Sequence, residues 1–193
     1  EISHGYIHAS VKGRLKAIDH TFEKVSVGAT ENILMAATLA EGTTVLRNAA
    51  SEPHVQDLAN FLVALGASID GIGTNTLTIH GGKPLHGARH RIGPDHIEVG
   101  SLIGLAAVTK SKLTIKNAGV QHLRSTLMNF ERLGIVAHAI GDDLIVPAEQ
   151  SRRIKEDLGG HIPKIEDQPW PAFPADLMSI AIVTATQCDG VIL

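Results

Sequence analysis

Thr44-Val45-Leu46-Arg47-Asn48-Ala49 reappears as Leu113-Thr114-Ile115-Lys116-Asn117-Ala118, 69 residues further along the chain. Each copy is a β-rich run followed by a basic residue, an asparagine and an alanine. The correspondence continues outward. Ala64-Leu65-Gly66-Ala67 matches Arg132-Leu133-Gly134-Ile135 at an offset of 68, and Leu77-Thr78-Ile79 matches Leu144-Ile145-Val146 at 67. An offset that holds within two residues across most of a unit marks a duplicated structural element.

The first copy reads as helix, strand, helix and hairpin. Residues 31–40 form a helical stretch with Thr30 as N-cap and Ile33, Leu34, Ala37 and Ala40 on one side, ended by Gly42. Residues 43–46 alternate as a strand. After Ser51, Val55, Leu58, Ala59, Leu62 and Leu65 recur at helical spacing up to Gly66. A strand follows, and Gly71-Ile72-Gly73-Thr74-Asn75 turns the chain back into a strand over 76–80. The second copy repeats the order: helix 101–108, strand 112–116, helix 121–133 with Leu123, Leu127 and Phe130 inward, then a hairpin around Gly141-Asp142-Asp143. A third copy is expected from a helix at 176–186, with a strand at 190–193, and residues 6–11 match the closing strand of an earlier one. Units of about 70 residues are longer than common solenoid repeats, so the expected class is α/β, with small βαβαβ-type units packed around shared helices.

The composition suits such a fold. Of 193 residues, 44% are hydrophobic and 19% charged, and a chain of this length buries roughly 70% of its unfolded surface without staples. The single cysteine, Cys188, cannot close an intramolecular disulfide, so a reducing, cytoplasmic setting is the default expectation. A net charge of -3 and an aromatic content of 3% give no basic footprint and few rings for bases, which argues against a nucleic-acid partner. No apolar run approaches the ~20 residues that span a bilayer, so no membrane partner is expected. The chain starts at Glu1 rather than Met and stops within the apolar Val191-Ile192-Leu193, so we expect a piece of something longer.

Two stretches interrupt the repeats. Residues 81–94, rich in Gly and His, read as a domain linker hinged at Gly93-Pro94, and residues 159–174 hold Pro163, Pro169, Pro171 and Pro174, a density that points to an ordered loop or lid.

Lys24-Val25-Ser26-Val27-Gly28-Ala29-Thr30-Glu31-Asn32 resembles the UDP-N-acetylglucosamine enolpyruvyl transferase family, as do Ala36-Ala37-Thr38-Leu39-Ala40-Glu41-Gly42-Thr43-Thr44, Asn48-Ala49-Ala50, Glu52-Pro53, Asp57-Leu58-Ala59 and Gly71-Ile72-Gly73-Thr74. Pro94-Asp95-His96-Ile97-Glu98 and Phe173-Pro174-Ala175-Asp176 extend the resemblance over nearly the whole chain, which corresponds to about the middle half of a family member. The resemblance implies an inside-out α/β barrel of six repeated units, three to a domain, with the active site in the cleft between domains. Residues 1–93 would be the latter part of one domain and 94–193 the first part of the other. It implies transfer of the enolpyruvyl group of phosphoenolpyruvate to the 3-hydroxyl of UDP-N-acetylglucosamine, the first committed step of peptidoglycan synthesis, with no metal or organic cofactor.

Carried over residue by residue, Lys24, Val25, Ser26 and Val27 correspond to the family's contact with the uridine diphosphate moiety. A cation and free amides before a helix suit a diphosphate, although the same stretch reads equally as a plain helix cap. Asp176 corresponds to the proposed base for the sugar hydroxyl and to a substrate contact; without the resemblance it reads as an N-cap. Glu52 and Asp95 match carboxylates that line the family's cleft, or are acids favoured by a helix dipole. His96 stands where the family usually has Arg, and Ala175 where it often has Thr. The family's catalytic cysteine loop, its arginine cluster and its Lys-Asn pair correspond to nothing in this chain, so the chain alone is expected to be inactive. Cys188, expected inside an apolar helix, is not that cysteine.

His86 and His90, four apart, lack helical context and a third ligand, so no metal site is expected. Ser26 has no His-acid partner that would make it a nucleophile. Two alternatives remain open: a shikimate-using enolpyruvyl transferase, and a non-catalytic binding or scaffold module of the same fold.

Overall fold

The computed structural model describes residues 2–193, and internal packing divides the chain into two compact units, Glu1–Arg91 and Ile92–Leu193. In the first, β1 (Ile2–Ser3) and β2 (Tyr6–Ile7) make a small antiparallel hairpin. Then come β3 (Asp19–Thr21), α1 (Val27–Ala37), β4 (Thr43–Arg47), α2 (Pro53–Ala64), β5 (Ser68–Asp70) and β6 (Thr76–His80). The sheet order is β3-β4-β6-β5, with β3 and β4 parallel and the other pairs antiparallel. The parallel pair follows from α1, which carries the chain back to the same end of the sheet before β4 begins. Alternation in β4 and β6 turns Thr44, Leu46, Leu77 and Ile79 inward, onto Leu34 and Ala37 of α1 and Ala59 and Leu62 of α2. Leu34, Leu46 and Ile79 are fully buried, and each contributes about 1.5–3 kcal/mol of transfer free energy.

The second unit runs α3 (His96–Thr109), β7 (Leu113–Ile115), a 3-10 turn at Val120–His122, α4 (Arg124–Arg132), β8 (His138–Ile140) and β9 (Asp143–Val146). After two further 3-10 turns, Leu158–Gly160 and Ala175–Leu177, comes α5 (Met178–Ala185). The sheet order β7-β9-β8 is that of β4-β6-β5, with every pair antiparallel in both. Leu46 pairs with Leu77 as Ile115 pairs with Leu144, and all four are buried. Asn48 and Asn117 both take positive φ, 54° and 50°, and the alanine after each donates to the turn of its hairpin, Ala49 to Asn75 O and Ala118 to Asp142 O. Gly66 and Gly134 close α2 and α4 in the left-handed region at φ 103° and 72°, where a side chain is strained. The duplication is therefore one of backbone conformation as well as sequence.

Several boundaries differ from expectation. The first helix begins at Val27, because Ser26 rather than Thr30 caps it, its side chain accepting from Ala29 N at 3.3 Å. Thr30 lies inside that helix. The helix expected at 101–108 starts earlier, at His96, because Asp95 caps it. The helix expected from 121 opens as a 3-10 turn, and α4 proper starts at Arg124. Residues 190–193 form no strand: Leu193 exchanges single hydrogen bonds with Pro163 and Ile165, and no ladder follows. The strand expected at 6–11 is reduced to Tyr6–Ile7. Cys188 lies past the end of α5, in the turn that follows, rather than inside the helix.

Candidate functional site

In the first unit the candidate residues gather at the carboxyl ends of two parallel strands. The segment from Lys24 to Val27 follows β3 and opens α1, and Glu52 follows β4 and opens α2. In open α/β sheets this strand end is where ligands bind, because the loops and helix N-termini there present unpaired N–H groups. The two openings are stitched together. The buried Thr30 hydroxyl donates to Ser26 O at 2.7 Å and accepts Ala50 N–H at 3.0 Å, and His54 Nε2 lies 4.0 Å from the Glu31 carboxylate.

Lys24 is exposed and makes no hydrogen bond or ion pair among the described residues, and Val25 and Val27 are half-buried. The first turn of α1 contains no acid, so no carboxylate within that turn offsets the positive end of the helix dipole. Ser26 is engaged as the N-cap, which leaves the amides of Val27 and Gly28 as the open donors of the first turn. Glu52 occupies the N-cap position of α2 without capping it, and its Oε2 is buried with no hydrogen-bond partner among the described residues. Such an orphaned oxygen costs about 1–3 kcal/mol.

In the second unit, Asp95 caps α3, accepting from Ile97 N at 2.8 Å and Glu98 N at 3.4 Å. Asp95 thus serves the positive end of α3 as its cap, in keeping with the alternative of an acid favoured by the helix dipole. Asp176 differs: it sits in the middle of the 3-10 turn Ala175–Leu177, exposed, with Pro174 at the N-cap position of that turn and Leu177 at that of α5. It caps no helix and makes no hydrogen bond or ion pair among the described residues, which overturns the N-cap alternative. A Cβ on Gly100 would meet Leu177, and one on Gly104 would meet Ile180 and Thr184. Helices α3 and α5 therefore run side by side in the same direction, with Asp95 and Asp176 at the same end.

Other candidates disperse. His86 and His90 lie in the irregular segment after β6, where the His86 ring covers Gly66 and His90 Nε2 meets Asp57 Oδ1 at 3.1 Å. Among the described residues no three His, Cys, Asp or Glu side chains come close enough to share a metal ion. Cys188 donates its thiol to Thr184 O, and burial pushes its pKa up, so it is a packed thiol rather than a nucleophile. An apolar groove lined by Ile154, Ile165, Met178, Ala181, Ile182 and Leu193 contains none of the candidate residues. No helix among the described residues is long and apolar enough to cross a membrane. The part played by Thr30 is not legible from local sequence: it reads as a cap, but the structure sets it inside α1, where its hydroxyl joins the two helix openings.

The chain is 70% identical over 180 residues to the UDP-N-acetylglucosamine 1-carboxyvinyltransferase of Bradyrhizobium diazoefficiens, covering 93% of this chain and 42% of that protein. It is 53% identical over the same length to the protein of that name in Treponema pallidum, again 42% of it. The chain thus spans less than half the length of these relatives. Among solved structures, the enolpyruvyl transferase NikO from Streptomyces tendae superposes with a TM-score of 0.68 at 23% identity, over 85% of this chain and 38% of that one. EPSP synthase from Acinetobacter baumannii does so at 0.54 and 20%, over 75% and 34%. These likenesses make the fold that of the enolpyruvyl transferases, as the resemblance implied. The family profile described as EPSP synthase (3-phosphoshikimate 1-carboxyvinyltransferase) matches residues 1–192, and the chain belongs to that family.

Proposed function

We propose that the protein containing this chain transfers the enolpyruvyl group of phosphoenolpyruvate to the 3-hydroxyl of UDP-N-acetylglucosamine, in the cytoplasm. The observation that carries this reading is the 70% identity, across 93% of the chain, to a relative named for that reaction. The acid-free start of α1 beside Lys24 supports it, since a diphosphate needs such an environment. Residues 1–93 and 94–193 then contribute parts of two domains. Lys24 and the amides following Ser26 hold the diphosphate of the nucleotide sugar.

Asp176 is the general base. The sugar hydroxyl is a poor nucleophile at neutral pH, so its proton passes to the carboxylate as the oxygen adds to C2 of phosphoenolpyruvate while C3 takes a proton from a donor outside this chain; loss of a C3 proton then re-forms the double bond and expels phosphate with the bridging oxygen. An exposed carboxylate that caps nothing is available for that proton. Glu52 and Asp95 act as lining carboxylates, Asp95 indirectly because its oxygen already serves α3. The relatives are more than twice as long as this chain, so the reaction belongs to a protein of that length and the 193-residue chain alone turns over no substrate.

A second reading, transfer to shikimate 3-phosphate, is favoured by the description of the family profile. Phosphate release from phosphoenolpyruvate by the full-length protein, with each acceptor in turn, separates the two. Release that depends on UDP-N-acetylglucosamine is expected; release only with shikimate 3-phosphate, or with neither, overturns the proposal.

A further inference from the structure

We propose that Trp170 is a positioning residue for Asp176, acting through a three-ring stack with His96 and His122. The inference rests on the reading of Asp176 as the base. The indole lies edge-on to His96 with ring centroids 5.4 Å apart and an interplanar angle of 74°, and to His122 at 6.0 Å and 60°. The rings come from three separate places: His96 is the first residue of α3, His122 ends the 3-10 turn before α4, and Trp170 lies in the proline-rich segment that leads to Asp176.

That segment has little freedom of its own. Pro169, Pro171 and Pro174 have fixed φ and no N–H, and the turn between them is closed by Gln168 N to Phe173 O at 3.0 Å and Ala172 N to Pro169 O at 3.1 Å. It therefore moves nearly as a body, and three side chains fasten it. Phe173 is buried in the core, Leu177 is fully buried against Gly100, and Trp170 sits on His96, itself 4% exposed. Phe173 and Leu177 bracket Asp176 closely and act as an axle, about which the turn can still tilt. Trp170 is the third point, and it removes that tilt. Because His96 directly follows the Asp95 cap, the stack refers the position of Asp176 to the start of α3. His96 thereby has an aromatic partner in Trp170.

The test uses the full-length protein with Trp170→Ala and Trp170→Phe. A misplacement of about 1 Å costs on the order of 100-fold in a positioned reaction, so Trp170→Ala is expected to lower kcat by roughly 10-fold to 100-fold with KM for the nucleotide sugar within about three-fold. Amide exchange at Gln168 and Ala172 should quicken in the same variant, and Trp170→Phe, which keeps a ring on His96, should restore most of both. Unchanged kcat in Trp170→Ala overturns the inference, even with faster exchange, because the stack would then serve the fold alone. A rise in KM without loss of kcat, or equal loss in both variants, also overturns it. Wild-type protein that transfers nothing to UDP-N-acetylglucosamine instead removes the reading on which the inference rests.

Discussion

Thr30 and Ala50, twenty positions apart, are joined by a hydrogen bond of 3.0 Å from the Ala50 amide to the Thr30 hydroxyl, which itself donates to Ser26 O at 2.7 Å. One buried hydroxyl thus serves both helix openings of the first unit, and Thr30 is completely shielded from water. Thr30→Val keeps the shape but strands the Ala50 N–H, a loss of about 1–3 kcal/mol. Urea unfolding of the chain should report that loss. A midpoint equal to wild type would mean that the two openings are held independently.

The contact between α3 and α5 depends on two missing side chains. A Cβ on Gly100 would lie 2.5 Å from Leu177 Cδ1, and one on Gly104 would lie 2.4 Å from Ile180 Cγ2. Gly100→Ala and Gly104→Ala should each destabilise by about 1–3 kcal/mol through overpacking. Gly28, which has nothing within 4 Å of a Cβ, is the control, and Gly28→Ala in the first turn of α1 should be neutral or stabilising. Equal melting temperatures for all three variants would contradict the packing described.

Glu52 should trade stability against function. Its Oε2 is buried without a partner among the described residues, so Glu52→Ala removes an unsatisfied group worth about 1–3 kcal/mol and should leave the melting temperature unchanged or raised. In the full-length protein the same change should slow turnover. Clear destabilisation by Glu52→Ala would show that the carboxylate works for the fold.

Burial raises the pKa of Cys188 above its ordinary thiol value, with Arg152 opposing the shift. Alkylation by iodoacetamide at pH 8 should therefore be slower in the folded chain than after unfolding in urea. The sign for stability follows: the neutral thiol is favoured by folding, so the contribution is complete below the ordinary thiol pKa and fades as pH rises through the raised one. Faster alkylation of the folded chain would contradict the burial of Cys188.

Much of this was legible in the sequence because the repeat is written in residues that backbone geometry demands. Asn48 and Asn117 hold matching positive φ, Gly66 and Gly134 hold matching helix ends, and Leu46 and Ile115 fill matching places in their sheets. Helix starts were less legible where two capping residues compete. Ser26 and Thr30 are both good N-caps, and only the contact with Ala50, twenty residues on, draws Thr30 into the helix interior. Asp176 misled for a related reason. An acid before an apolar helix reads as a cap, but Pro174 starts a 3-10 turn first, and the carboxylate ends up inside it. The Trp170 stack joins residues 96, 122 and 170, a long-range meeting of rings that no local pattern announces.

The most direct measurement is the turnover of Asp176→Asn in the full-length protein with UDP-N-acetylglucosamine and phosphoenolpyruvate. Asparagine keeps the size of the side chain but cannot take the hydroxyl proton, so kcat should fall by roughly 100-fold to 10,000-fold. Because Asp176 caps no helix and holds no partner among the described residues, the melting temperature should not move. Turnover within about three-fold of wild type, at an unchanged melting temperature, would contradict the assignment of the base.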